Sequence, residues 1–205
     1  MPRPRVTRGP QLPRAGAAFL LALAAACGGG GSSATFAGAV HGQTLRPSDA
    51  ISSPATVAFA SGTLPVAAIL LSDAGTLCTK LAANLEPRSA RTLVLFLADV
   101  NASTGAIEAP TGTATYLLFT VGSGAPPAHF AVASFGVNDA SCKQIAAQSA
   151  AAVSGSVTLT GNANGAYTGT YDLFFDSGDH AQGAFHTAAC QGLSTFLSAN
   201  THGCG

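Results

Sequence analysis

Five cysteines, at positions 27, 78, 142, 190 and 204, carry the plainest chemistry in the chain. Setting Cys27 apart leaves an even set, which in an exported protein points to disulfides. Four cysteines allow three connectivities. We expect Cys190 with Cys204, because they bracket the carboxyl terminus, and Cys78 with Cys142 by elimination. Closing the 190–204 loop would contribute on the order of 3 kcal/mol in the chain-entropy picture and hold a tail that would otherwise fray. A zinc thiolate site is disfavoured, since no C-x2-C pair occurs and an oxidising compartment favours disulfides.

The densest ionisable cluster is Asp172, Asp176, Asp179 and His180. Asp172 and Asp176 would share a strand face but lie ~13 Å apart, too far to act as one acid/base pair or to hold one ion. His180 and His186 share a face ~20 Å apart, which prevents common metal ligation without a bend. Asp99, Asn101, Ser103 and Gly105 suggest a calcium loop, yet glycine falls at the seventh position and Pro110 occupies the twelfth, where a bidentate Glu belongs. A hairpin or loop is expected there instead. Nothing matches H-E-x-x-H, G-x-S-x-G, S-x-x-K or a phosphate-binding glycine loop. These residues imply no catalytic site, no metal and no cofactor.

The elements that must position these residues read as strands. Val153, Gly155, Val157 and Leu159 alternate with Ser154, Ser156, Thr158 and Thr160, the period-2 pattern of a half-wet strand. Gly161 to Gly165 is a turn, and the return strand places Tyr167, Gly169, Tyr171, Leu173 and Phe175 on one face, with Phe174 out of pattern. A third strand, about His180 to Thr187, completes an antiparallel meander. Upstream strands are expected at 34–41, 56–60, 66–71, 91–98, 113–121 and 129–137. Several of these are apolar on both faces, and their β-branched and aromatic content favours strand over helix. Short helices are candidates at 77–85, 141–151 and 191–198. The fold class is all-β: a single antiparallel β-sandwich or up-and-down β-barrel of about nine strands with one to three short helices.

Composition narrows the function. The chain has 205 residues, 47% hydrophobic and only 9% charged. That argues against disorder and against a basic nucleic-acid binder. The formal net charge of zero hides an asymmetry, because Arg3, Arg5, Arg8 and Arg14 are the only charges before Cys27. The remainder holds five basic and nine acidic residues, a net of −4. The leading arginines precede the apolar run Ala15 to Ala26, about 12 residues against the ~20 of a spanning helix, so this reads as a cleaved signal peptide.

The segment Leu23-Ala-Ala-Ala-Cys27 resembles the bacterial lipoprotein signal, although Ala24 stands where Leu is usual. The resemblance implies 1–26 as signal peptide, a lipidated Cys27 with a Gly/Ser tether over 27–33, and an all-β domain over 34–205. Two or more acyl chains suffice for stable anchoring. No Asp follows Cys27, so the resemblance implies sorting to the outer membrane. Ordinary secretion after Ala24-Ala25-Ala26, to the periplasm or beyond, is the alternative.

With the leader and Cys27, the segments Phe36 to Gln43, Gly169 to Asp176 and Gly183 to Cys190 look like the small lipoproteins of unassigned function in GC-rich deltaproteobacteria. That resemblance implies an all-β lipoprotein and transfers no catalytic residue. The expected function is a lipid-anchored, non-enzymatic envelope domain, structural or binding, whose partner is the membrane together with an envelope protein or small ligand. A lipocalin-like carrier of an apolar ligand is the alternative. A hydrolase assembled from His41, His129 or His180 with Ser and Asp is a third reading.

Overall fold

The computed structural model describes residues 31–59 and 62–205. The expected leader, Cys27 and the first glycines of the tether lie outside the described residues. Among the described residues eight strands have four residues or more: β1 Asp49–Phe59, β2 Gly62–Ser72, β3 Arg91–Val100, β4 Thr115–Leu118, β5 His129–Val137, β6 Ala150–Ala163, β7 Ala166–Phe175 and β8 His180–His186. Two short helices, α1 Leu77–Ala82 and α2 Gln191–Ser198, complete the main elements. No helix among the described residues is long and apolar enough to cross a membrane.

The fold is all-β, as one large sheet curled like an open half-barrel, in the order β8-β7-β6-β4-β5-β3-β2-β1. Neighbours pair antiparallel except β4 with β5. Ser33–Ala34 pairs along β8, and the Ser32 hydroxyl donates to Asp49 at 3.2 Å, so the sheet takes up the chain at the end of the expected tether. Beyond β8 the chain runs through Thr187 into Ala188–Ala189, which pairs in parallel with Ile51 and Ser52 of β1. At this seam the chain leaving β8 joins the β1 edge of the sheet.

The seam is a buried hydroxyl network. Thr187 and Ser52 are 1% and 0% exposed. The Thr187 hydroxyl accepts from the Tyr167 N–H at 2.8 Å, and its one proton is shared between the Tyr167 carbonyl at 3.0 Å and the Ser52 hydroxyl. Ser52 reaches the Gly165 carbonyl at 2.8 Å. Burying these groups costs little because they are paired.

Two apolar layers explain the strands that are apolar on both faces. The concave layer packs Ala67, Ile69 and Leu71 of β2 with Leu93, Leu95 and Leu97 of β3, beneath Tyr116, Phe135 and Tyr167. Alternating residues point the other way: Val66, Ala68 and Leu70 pack with Leu77 and Leu81 of α1 and Leu193 of α2 on the convex side. Leu77 and Leu81 stand four apart, and Leu193, Phe196 and Leu197 keep the spacing that puts one helical stripe inward. The Leu77 N–H, free at the helix start, donates to Asp49 at 2.8 Å.

Four expectations are corrected. Val153 does not join the inward face; it is 46% exposed, while Ala150, Ala152, Val157 and Leu159 are buried. A β-bulge between Ala152 and Ser154 shifts the phase, and Gly155 absorbs it at φ +115° beneath the Asp172 carbonyl. The stretch 141–151 forms no α-helix but a 3₁₀ turn at Ala146–Gln148, because Ala150 and Ala151 pair with Phe135 and Ser134. The disulfides are Cys78–Cys190 and Cys142–Cys204, not the pairing expected from chain order. The hairpin turn contracts to Asn164-Gly165, both at positive φ, as a two-residue type I′ connection requires.

Candidate functional cleft on the convex face

His129 Nδ1 lies 2.8 Å from Asp99, against the Tyr116 ring at 5.5 Å. His180 Nε2 is 2.7 Å from Asp172, and the His41 backbone N–H donates to Asp179 at 2.7 Å. The last contact, with a bond from Ser177, holds the exposed Asp179 carboxyl below its ordinary pKa. His186 meets the Thr168 hydroxyl and His202 meets Asn84. Among the described residues none of these rings contacts both a hydroxyl and a carboxylate, the arrangement a Ser-His-Asp hydrolase needs. Asn101 caps the N–H groups of Ser103 and Thr104, so the calcium-like segment is a hairpin loop.

The concave side, where a lipocalin-like carrier would keep its ligand, is packed with side chains. Tyr116, Phe135, Leu93, Leu95 and Leu97 are all 0% exposed. Open apolar space lies instead on the convex side, where the two helices cover only part of β2, β3 and β5.

One cleft of about 300 Å³ sits between the helices and the sheet. Its walls are Leu77 and Leu81 of α1 and Phe196 and Leu197 of α2, and its floor is Leu70, Val94 and Phe96. Glu86, Asn138 and Gln144 gather at one end. The Asn138 amide donates to the Pro87 carbonyl at 3.4 Å and approaches the Glu86 carboxylate at 3.5 Å. An apolar body with a few convergent polar groups is the usual makeup of a small-molecule site.

Both disulfides frame this cleft. Cys78–Cys190 joins α1 to the start of α2, fixing the two apolar walls. Cys142–Cys204 fixes the polar end: Cys204 belongs to Gly203–Cys204, which pairs with Leu85–Glu86, and the Cys142 sulfur lies 3.3 Å from the Glu86 carbonyl. His202 stacks on Phe196 at 3.9 Å, tying the tail to α2.

A second cleft, about 450 Å³, continues along the same face between Leu64, Phe119, Phe130 and Val132. Phe59 on its rim meets Phe96 of the first cleft edge to face at 6.2 Å. The four cysteines were singled out in the sequence but Glu86, Asn138 and Gln144 were not, because no local motif marks them. Compared with protein-family models, curated proteins and solved structures, the chain shows no match, so the site is read from its own geometry.

Proposed function

We propose that this protein is a lipid-anchored, non-enzymatic domain of the cell envelope that binds a small amphipathic ligand in the convex cleft. The lipidated Cys27 and outer-membrane location follow from the leader and from the resemblance to small deltaproteobacterial lipoproteins. Two disulfides agree with export to an oxidising compartment. The observation that carries the binding role is the convergence of both disulfides on one cleft whose walls are apolar and whose end holds a carboxylate and two amides. Cross-links at both ends keep the cleft open without ligand, which lowers the ordering cost of binding. This differs from a lipocalin-like carrier, which would hold its ligand inside the sheet, where side chains fill the space.

Two measurements test the two halves. Cys27→Ala releases the protein from the membrane fraction, and globomycin blocks its processing; insensitivity to both overturns the anchor. A solvatochromic probe such as N-phenyl-1-naphthylamine binds the wild type. Ser134→Trp, at an exposed cleft position, lowers that binding about tenfold by filling the space. Equal binding by the two proteins overturns the cleft.

A further inference from the structure

The outer face of β6, β7 and β8 carries a second, chemically different groove of about 430 Å³. Ser156, Thr158, Thr170, Asp172 and Gln182 line it, and the backbone at Thr35 to Ala37 forms a wall. The rows are in register: Asp172 stands opposite both Ser156 and Gln182, and Thr170 opposite Thr158. One row further along β7, Phe174 breaks the polar pattern. It is 48% exposed and stacks on His180 with ring centres 4.5 Å apart and planes 27° apart. His180 is held in turn by Asp172 at 2.7 Å. An exposed phenylalanine ordered against a histidine adds nothing to either apolar layer.

We propose that this groove binds a linear neutral oligosaccharide. Sugar hydroxyls both donate and accept, and the groove offers carboxylate, amide and hydroxyl groups that do the same. The apolar C–H face of a pyranose ring suits the Phe174–His180 platform, which supplies the stacking element in a chain without Trp. No Lys or Arg lines the groove, which removes the usual partner of phosphate or sulfate groups. From Phe174 to Thr168 the strand spans ~20 Å, room for several rings in a row. The floor is paired sheet, so little side-chain ordering opposes binding.

The test is titration of the full chain with cellotetraose, chitotetraose and maltotetraose, followed by saturation-transfer NMR and calorimetry. At least one saccharide binds, Phe174→Ala weakens it about tenfold, and Phe174→Tyr retains it. Asp172→Asn weakens it independently, which covers the case of a poorly folded Phe174→Ala. Ser134→Trp, in the other cleft, leaves saccharide binding unchanged. Absence of binding to all three sugars, or binding indifferent to both the Phe174→Ala and Asp172→Asn changes, overturns the proposal. So does a Phe174→Ala effect on sedimentation in place of sugar binding, which would make the face a contact between copies of the chain.

Discussion

Cys78 in α1 and Cys190 at the start of α2 are disulfide-bonded with Cα atoms 5.7 Å apart, although 112 residues separate them. The bond draws together two helices that share an apolar layer with β2 but have no backbone pairing to each other. A non-reducing peptide map yields 78–190 and 142–204 as the linked peptides. Replacing Cys78 and Cys190 together with Ser costs about 2–5 kcal/mol, because a long loop is released in the unfolded chain. Replacing Cys142 and Cys204 also frees the tail, and amide exchange at Gly203 and Gly205, whose N–H groups donate to Asn84 and Glu86, accelerates. A map that returns 190–204 would sink the tail assignment.

Thr187→Val keeps the shape of the seam and removes its hydroxyl. The Tyr167 N–H then loses a buried acceptor and Ser52 a neighbour, with an expected loss of about 1–3 kcal/mol. Urea unfolding measures this, and Ser52→Ala in the Thr187→Val background should cost less than in the wild type, since the two hydroxyls share one network.

Gly155→Ala tests the bulge. A side chain at φ +115° is strained, and its Cβ would run into the Asp172 carbonyl. Backbone strain alone amounts to about 1–3 kcal/mol, and the clash adds to it. A melting temperature equal to that of the wild type would mean that β6 and β7 pair in another register.

All three tyrosines lie in the concave layer, at 0–3% exposure. Burial raises each phenol above its ordinary value of 10.0, with Asp99 adding to the effect at Tyr116. A folded pKa above the unfolded one means that this contribution is intact below pH 10 and is lost as pH rises toward the folded values. Absorbance at 295 nm therefore shows no tyrosinate step near pH 10; ionisation comes with cooperative unfolding at higher pH. A gradual step centred at pH 10 would place at least one phenol in water.

The local elements were legible in the sequence. Alternation set the inward Tyr171, Leu173 and Phe175, the stretch Gly161 to Gly165 marked the hairpin, and 191–198 stood among the helix candidates. Phe174 already stood out as the residue that broke the alternation, and its exposure beside His180 is what gives that break meaning. The cysteine count indicated disulfides without indicating partners. Such features depend on residues a few positions apart, where side-chain direction follows directly from the helical or strand period.

Only the tertiary structure decided what those elements bring together. The bulge between Ala152 and Ser154 left Val153 facing outward while Val157 and Leu159 face inward, because a register shift flips every later side chain to the other face. Curling of the sheet set Cys190 beside Cys78 and Cys204 beside Cys142, across 112 and 62 residues. The same curling gathered Glu86, Asn138 and Gln144 from separate segments at one end of a cleft. Proximity of this kind comes from strand order and from where two apolar layers close, and no spacing along the chain encodes it.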